Sequence, residues 1–350
     1  MVITFQKHGE KTITFKLGYT IFNYPVIEMS VNLMKLKYIL CFLFFCFASL
    51  SQFGCSKFDN KTIRVGSNVW PGYETLYLAR HLEELPDNIK LIELLSATDV
   101  MEAFRLKRLE VAALTMDEAM TLVSEGIDLK VFLVMDVSNG GDQLIVRPDI
   151  NELSELKGKT IGYEQTALGA LMLHEVLYAG GLDIKDVTLI HLQINQQLDA
   201  FSKGYIDALI TFEPVATQSK QLGGKVIFDS SHIPNTIVDV LVARKETLEK
   251  HKNLIQTLVN GQSKALDTIE ISKVESLKVM AQRMEISQEQ LDEAMQGIHY
   301  PDLQENQTLL RKNGKLFATV ERLNTILYEA NLIAQPVEAH KLFDDSFVSQ

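Results

Sequence analysis

Thr62-Ile63-Arg64-Val65-Gly66, followed by Asn68-Val69-Trp70-Pro71-Gly72-Tyr73-Glu74, is the stretch on which the fold turns. The first five residues read as a strand, because β-branched side chains alternate along them. Pro71-Gly72 then makes a tight turn, and Glu74–His81 reads as a short helix. The succession repeats at once. Ile89–Leu95 is a second strand, and Thr98-Asp99 is placed to cap a helix carried by Val100, Met101, Phe104 and Leu109. Val111–Leu114 is a strand, Asp117–Ser124 a helix ended by Gly126, and Lys130–Met135 a fourth strand. Strands alternating with helices of about ten residues predict an α/β fold with parallel sheets covered by helices.

The alternation restarts at Gln143–Val146 and continues through strands at Thr160–Tyr163, Val187–Leu192, Ile206–Ile210, Lys225–Phe228 and Ile237–Ala243. Helices are expected at Ala167–Tyr178, Gln197–Lys203 and Pro214–Gln221. Beyond Arg244 the chain is almost purely helical, with amphipathic faces around Leu254–Ile269 and Asn306–Ala330. Two α/β halves and a helical tail predict a bilobed molecule. Lobe I takes residues 61–140 and 241–350, lobe II takes 141–240, and two crossovers between them suit opening and closing around a cleft.

The N-terminal region reads differently. Cys41, Cys46 and Cys55 are the only cysteines, and all lie in or just after the apolar run Tyr38–Leu50, which follows Lys35 and Lys37. A basic start, a short apolar stretch and a small-residue exit are the layout of a secretory signal. Thirteen residues at about 1.5 Å each fall short of a ~30 Å hydrocarbon core, which disfavours a permanent membrane span. Ser51-Gln52-Phe53-Gly54-Cys55-Ser56 resembles a bacterial lipoprotein cleavage box. Residues 34–55 are accordingly expected to be a lipoprotein signal with Cys55 lipidated, and residues 1–33 an upstream extension of the reading frame before Met34. An ordinary buried cysteine beside a signal is the competing reading.

Of the 350 residues, 34 are Lys or Arg and 45 are Asp or Glu. Beyond residue 54 the balance is 29 basic to 43 acidic, which excludes the basic footprint of a nucleic-acid binder. No disulfide can form after Ser56, so packing alone holds the exported part together.

In such folds ligands bind beyond the carboxyl ends of the strands. Trp70, the only tryptophan, follows the first strand with Gly72 and Tyr73, and reads either as a binding wall or as a core ring. Thr115 and Asp117 follow the third strand, where Asp117 reads equally as a helix cap. Ser138 and Asp142 stand in the first crossover and Asp239 in the second. In the second half, Glu164 precedes Ala167, Leu168 and Gly169, whose backbone N–H groups at a helix start suit an acidic group. Phe212 and Glu213 end a further strand. Glu164, Glu213, Asp142 and Asp239 are either ordinary solvated acids or a convergent set that favours an amine-bearing or otherwise cationic ligand. Catalytic sets are weak. The eight histidines lack metal-ligand spacing, and no nucleophile elbow or phosphate loop occurs, so no catalytic residue, metal or cofactor is expected.

Val69–Arg80, Leu153–Gly162 and Gly204–Ala208, with Gly169, Phe212-Glu213-Pro214 and Asp229-Ser230-Ser231, together resemble one known group. It is the solute-binding proteins of ABC transporters in the nitrate, sulfonate, taurine and thiamine-precursor superfamily. The resemblance covers about Lys61 to Leu332. It implies a type II periplasmic-binding fold, capture of a small solute by lobe closure, and delivery to an ABC permease and ATPase complex. It does not carry the ligand over. Glu164-Gln165-Thr166-Ala167-Leu168-Gly169 replaces the Ser- and Thr-rich anion loop of the sulfonate binders, which counts against a simple sulfonate. With the acids above, an amine-containing or heterocyclic solute is favoured over nitrate or a plain alkanesulfonate, and the zwitterion taurine stays among the open choices. A sensor signalling through a separate membrane partner is the alternative function. An enzyme like the yeast pyrimidine-precursor synthases lacks its cysteine-rich iron motif here.

Overall fold

The computed structural model describes residues 2–7, 12–18, 27–32 and 62–349. The expected signal at 34–55, with Cys55, lies outside them. Near the N-terminus three strands, β1 (Val2–Lys7), β2 (Thr12–Gly18) and β3 (Ile27–Asn32), pair antiparallel in sequence order. They belong to a unit of their own, Met1–Asn60.

Lys61–Gln350 forms the second unit and holds two sheets. Its first strands are β4 (Ile63–Ser67), β5 (Ile89–Glu93), β6 (Val111–Thr115) and β7 (Leu129–Ser138). The chain then crosses to β8 (Gln143–Val146), β9 (Thr160–Tyr163), β10 (Thr188–His191), β11 (Ala208–Thr211) and β12 (Lys225–Asp229). It returns through β13 (Val238–Arg244) and adds the two-residue β14 (Ile298–His299). One sheet has the order β14-β7-β13-β6-β4-β5 and the other β10-β9-β11-β8-β12.

Each sheet keeps three parallel strands, β5-β4-β6 in the first and β10-β9-β11 in the second. The crossover strands run against them: β13 is antiparallel to β6 and β7, and β8 to β11 and β12. Strand β7 is longer than its apolar centre suggests. It extends through Val137 and Ser138, because both find partners on β13 or β14. Val111-Ala112-Ala113-Leu114-Thr115 is buried along its whole length, as expected of a central strand covered on both faces.

Side-chain caps set the helix starts. The helix Ala97–Arg105 is capped by Ser96, whose hydroxyl accepts the Asp99 N–H at 3.1 Å. Thr98-Asp99, expected to be the cap, therefore lies inside the first turn. The tail packs back as helices, among them Lys252–Ile271, Lys273–Met284 and Gln288–Gln296. The face expected to be one helix over Asn306–Ala330 is two, Leu303–Leu310 and Lys315–Glu329, broken at Gly314. Phe104, Phe132 and Leu76 are among the fully buried side chains of the core.

Candidate functional site

Two adjoining cavities lie where loops from both sheets meet. The first is half-open, about 310 Å³ counted out into the solvent it meets, and is lined by Asn68, Trp70, Tyr73, Ala97, Thr115, Glu118, Asp142, Leu168, Phe212 and Asp239. The second is half-open too, about 340 Å³ counted in the same way, and is lined by Ala97, Glu118, Asp142, Glu164, Thr166, Leu168, Gly169, Gln197, Ile210, Thr211 and Phe212. Ala97, Glu118, Asp142, Leu168 and Phe212 border both. No lysine, arginine or histidine lines either one.

Aromatic rings form the wall. Trp70 is 4 % exposed and stands edge-on to Phe212, with centroids 5.6 Å apart at 89°. Its indole N–H points at both Asp136 oxygens at 3.3 Å. Trp70 is thus a buried core ring that also lines the cavity. The Tyr73 hydroxyl donates to Asp239 Oδ1. Gly72 lines neither cavity but makes the turn possible: a methyl there would stand 1.8 Å from Asp136 Oδ2 and 2.4 Å from Trp70 Nε1.

Carboxyl groups form the rest. Asp136 and Asp239 stand opposite each other across β7 and β13, and burial raises both. Burial, then the neighbouring Asp136 charge, pushes Asp239 well above the usual carboxylate range. Burial likewise raises Asp142 to about 7. Glu118 is raised by burial and by its neighbour Asp117. Glu164 is raised by burial, opposed by hydrogen bonds from Thr98. The Thr98 hydroxyl and backbone N–H approach Glu164 Oε1 at 2.7 and 3.3 Å. That link joins the helix of one sheet to the loop of the other.

The expected site residues divide. Trp70, Tyr73, Thr115, Asp142, Leu168, Phe212 and Asp239 line the first cavity, and Glu164 and Gly169 line the second. Asp117 is fully buried but borders neither, and it is not the helix cap; Thr115 holds that position, with its backbone N–H donating to Glu118 Oε2 at 3.1 Å. Ser138 serves the crossover, sharing a 2.8 Å hydroxyl contact with Ser230 and accepting the Asp142 N–H at 3.1 Å. Glu213 turns away. It accepts from the Thr217 N–H and hydroxyl, both at 2.9 Å, and meets Lys220 at 3.6 Å. Glu213 therefore does not join Glu164, Asp142 and Asp239 in the expected convergent set of acids. Ala167 lines neither cavity, and the Gly169 N–H is already taken by Thr166 Oγ1 at 3.2 Å. Outside the expected set, Asn68, Ala97, Glu118, Thr166, Gln197, Ile210 and Thr211 are lining residues. Glu118 is detectable as Thr115-x-x-Glu118, but that spacing signals a cap rather than a ligand contact.

With this geometry in place, the comparison with known families decides the grouping: the sequence model of the NMT1-like family matches residues 58–285. The chain belongs to the NMT1-like family. This NMT1-like chain is 24 % identical over 169 residues to the taurine-binding periplasmic protein of Escherichia coli, covering 47 % of its own length and 52 % of that protein. It thus spans about half the length of the curated relatives it matches. In fold it is similar to the ligand-binding component of an ABC-type import system from Staphylococcus aureus, solved with zinc bound. The TM-score is 0.70 at 18 % identity, over 83 % of this chain and 98 % of that one. The desulfurization enzyme DSZB shares the fold as well, with a TM-score of 0.60 at 17 % identity over 82 % of this chain and 97 % of that one. The fold is the bilobed α/β architecture of periplasmic binding proteins. Among the described residues no group of His, Cys, Asp or Glu side chains is arranged to hold a metal ion.

Proposed function

We propose that this NMT1-like chain is an exported solute-binding protein that captures a small molecule between two lobes and delivers it to an ABC importer. Lobe I would comprise 61–140 and 241–350, and lobe II 141–240. The observation that carries the reading is the pair of cavities walled by Trp70, Tyr73 and Phe212 and ringed by buried carboxyl groups. A pocket of this kind, at strand ends of an α/β fold, suits a small ligand.

Charge narrows the ligand. An anion about 4 Å from one ionised carboxylate is disfavoured by about 4 kcal/mol at an effective dielectric of 20, close to a thousandfold in affinity. The cavity acids meet no basic residue in the lining, so each opposes an anion in this way once it is ionised. An amine-bearing or heterocyclic solute fits, whereas nitrate or a plain alkanesulfonate does not; taurine is a zwitterion whose amine suits the acids. Binding rather than catalysis is the role the curated relatives support.

Export and anchoring rest on the sequence at 34–55, with Cys55 as the lipidated residue. Cys55→Ala is then expected to release the protein from the membrane fraction.

The function is tested by equilibrium dialysis of the full chain against cell and medium extract, with mass spectrometry of what it retains. A retained small molecule that Trp70→Ala loses supports solute capture. Retention of nothing, or of the same compound by the variant, contradicts it.

A further inference from the structure

Three buried polar side-chain atoms on the cavity walls lack a hydrogen-bond partner: the Thr115 hydroxyl on the first cavity, Glu118 Oε1 on both and Gln197 Oε1 on the second. Glu118 is 1 % exposed. Its Oε2 accepts the Thr115 backbone N–H at 3.1 Å, and its Oε1 has no hydrogen-bond partner. Gln197 is also 1 % exposed. Its amide NH₂ donates to the Leu192 carbonyl at 3.3 Å, which fixes the amide's orientation because a carbonyl only accepts. Gln197 Oε1 is then without a partner. Both residues line the second cavity, and Glu118 reaches the first as well. Buried polar atoms are normally satisfied, so two orphaned acceptors on one cavity point to a ligand that brings the donors.

We propose that Glu118 selects the charge of the solute: its Oε1 accepts a hydrogen bond from a protonated nitrogen, while Gln197 Oε1 accepts one from a second N–H. The assignment rests on the solute-binding reading and names the class of solute, a flat organic cation with at least two N–H donors. Charge-assisted bonds of this kind are stronger than neutral ones, and the rings of Trp70 and Phe212 supply the faces for the flat part.

The surroundings make binding proton-linked. Glu118 faces Asp117 on its own helix, Glu164 from the opposite loop, and Tyr73. Asp142 and Asp239 share its cavity. Burial first, then the charges of Asp117 and Glu164, push Glu118 up to about 8 in the ligand-free protein. A bound cation favours the carboxylate, so its entry drives the Glu118 proton to solvent. Affinity for the cation therefore rises with pH until Glu118 is ionised without it.

The test uses the full chain with three flat probes of one size: benzamidine, benzamide and benzenesulfonate. Calorimetry in two buffers of different ionisation enthalpy reads both affinity and proton release. Benzamidine is expected to bind at least about tenfold tighter than benzamide and to release protons at pH 7. Glu118→Gln keeps an acceptor for the Thr115 N–H, a helix-start contact that Gln makes as readily as Glu. It is expected to weaken benzamidine roughly thirtyfold, as for loss of one partner of a buried charged pair, and to abolish the proton release. Absence of proton release in the unaltered chain overturns the proposal whether or not the variant folds. So does a benzamidine preference that survives Glu118→Gln, absence of benzamidine binding, or tighter binding of benzenesulfonate. The solute-binding reading fails separately, through the dialysis experiment alone. A retained anionic solute would leave that reading standing and remove the role assigned to Glu118.

Discussion

Thr98 and Glu164 meet across the boundary between the two sheets: the Thr98 hydroxyl donates to Glu164 Oε1 at 2.7 Å, and the Thr98 backbone N–H approaches the same oxygen at 3.3 Å. Thr98 is free to do this because Ser96 caps the helix in its place. The contact therefore holds the two walls together with no ligand between them. Hydrogen bonds to a charged group contribute about 1.5–3 kcal/mol. Thr98→Val is expected to lose a contribution of that order from the closed form. Small-angle scattering of the ligand-free chain checks it. A larger radius of gyration is expected, and identical curves with identical melting would contradict the latch.

Arg283, on the tail helix Lys273–Met284, grips the start of the helix behind Trp70. It meets Glu74 at 2.9 Å, pairs with Glu93, and lies over the Tyr77 ring at 3.6 Å. Glu74 is 1 % exposed, and burial, only partly offset by Arg283, raises it to about 7. Arg283→Met leaves that carboxyl buried without its partner. The expected cost is about 2–4 kcal/mol, below the usual range for a fully buried pair because Arg283 is one-third exposed. Denaturant unfolding measures it. The double variant Arg283→Met/Glu74→Gln is expected to recover most of the loss, and equal stability of single and double variants would contradict the pairing.

Stability should fall as pH rises. Asp142 and Glu74 are raised to about 7, and Glu118, Asp136 and Asp239 are raised by burial first. Unfolded, these groups titrate near about 4. Between those values the folded chain binds more protons than the unfolded one, so each group stabilises the fold at the acidic end and loses that contribution toward pH 7–8. Glu110, held low by Arg64 against the effect of its burial, runs the other way but acts below this window. The ligand-free chain is expected to melt at least about 5 °C higher at pH 5.5 than at pH 8. A flat or opposite profile would show that these acids are not confined without compensation.

The sequence made the strands and turns legible because their signals are local. β-Branched alternation marked β4, a short apolar run marked β6, and Pro71-Gly72 marked the turn that presents Trp70 and Tyr73. The direction of β8 and β13 was not legible, because apolar strands look alike whichever way their neighbours run. Glu213 was misplaced since its carboxylate is captured one helical turn on by Thr217, a contact that depends on backbone geometry. Glu118 was hidden for the opposite reason. One oxygen does what its spacing announces, and only the three-dimensional setting exposes the other.

The most direct measurement is a crystal structure of the full chain carrying the solute it retains in dialysis. Solute density in the cavities walled by Trp70 and Phe212, with a nitrogen within hydrogen-bond distance of Glu118 Oε1, is the predicted result. Density confined to the groove beside His174 and Tyr178, with the cavities at Glu118 unchanged, would contradict the account.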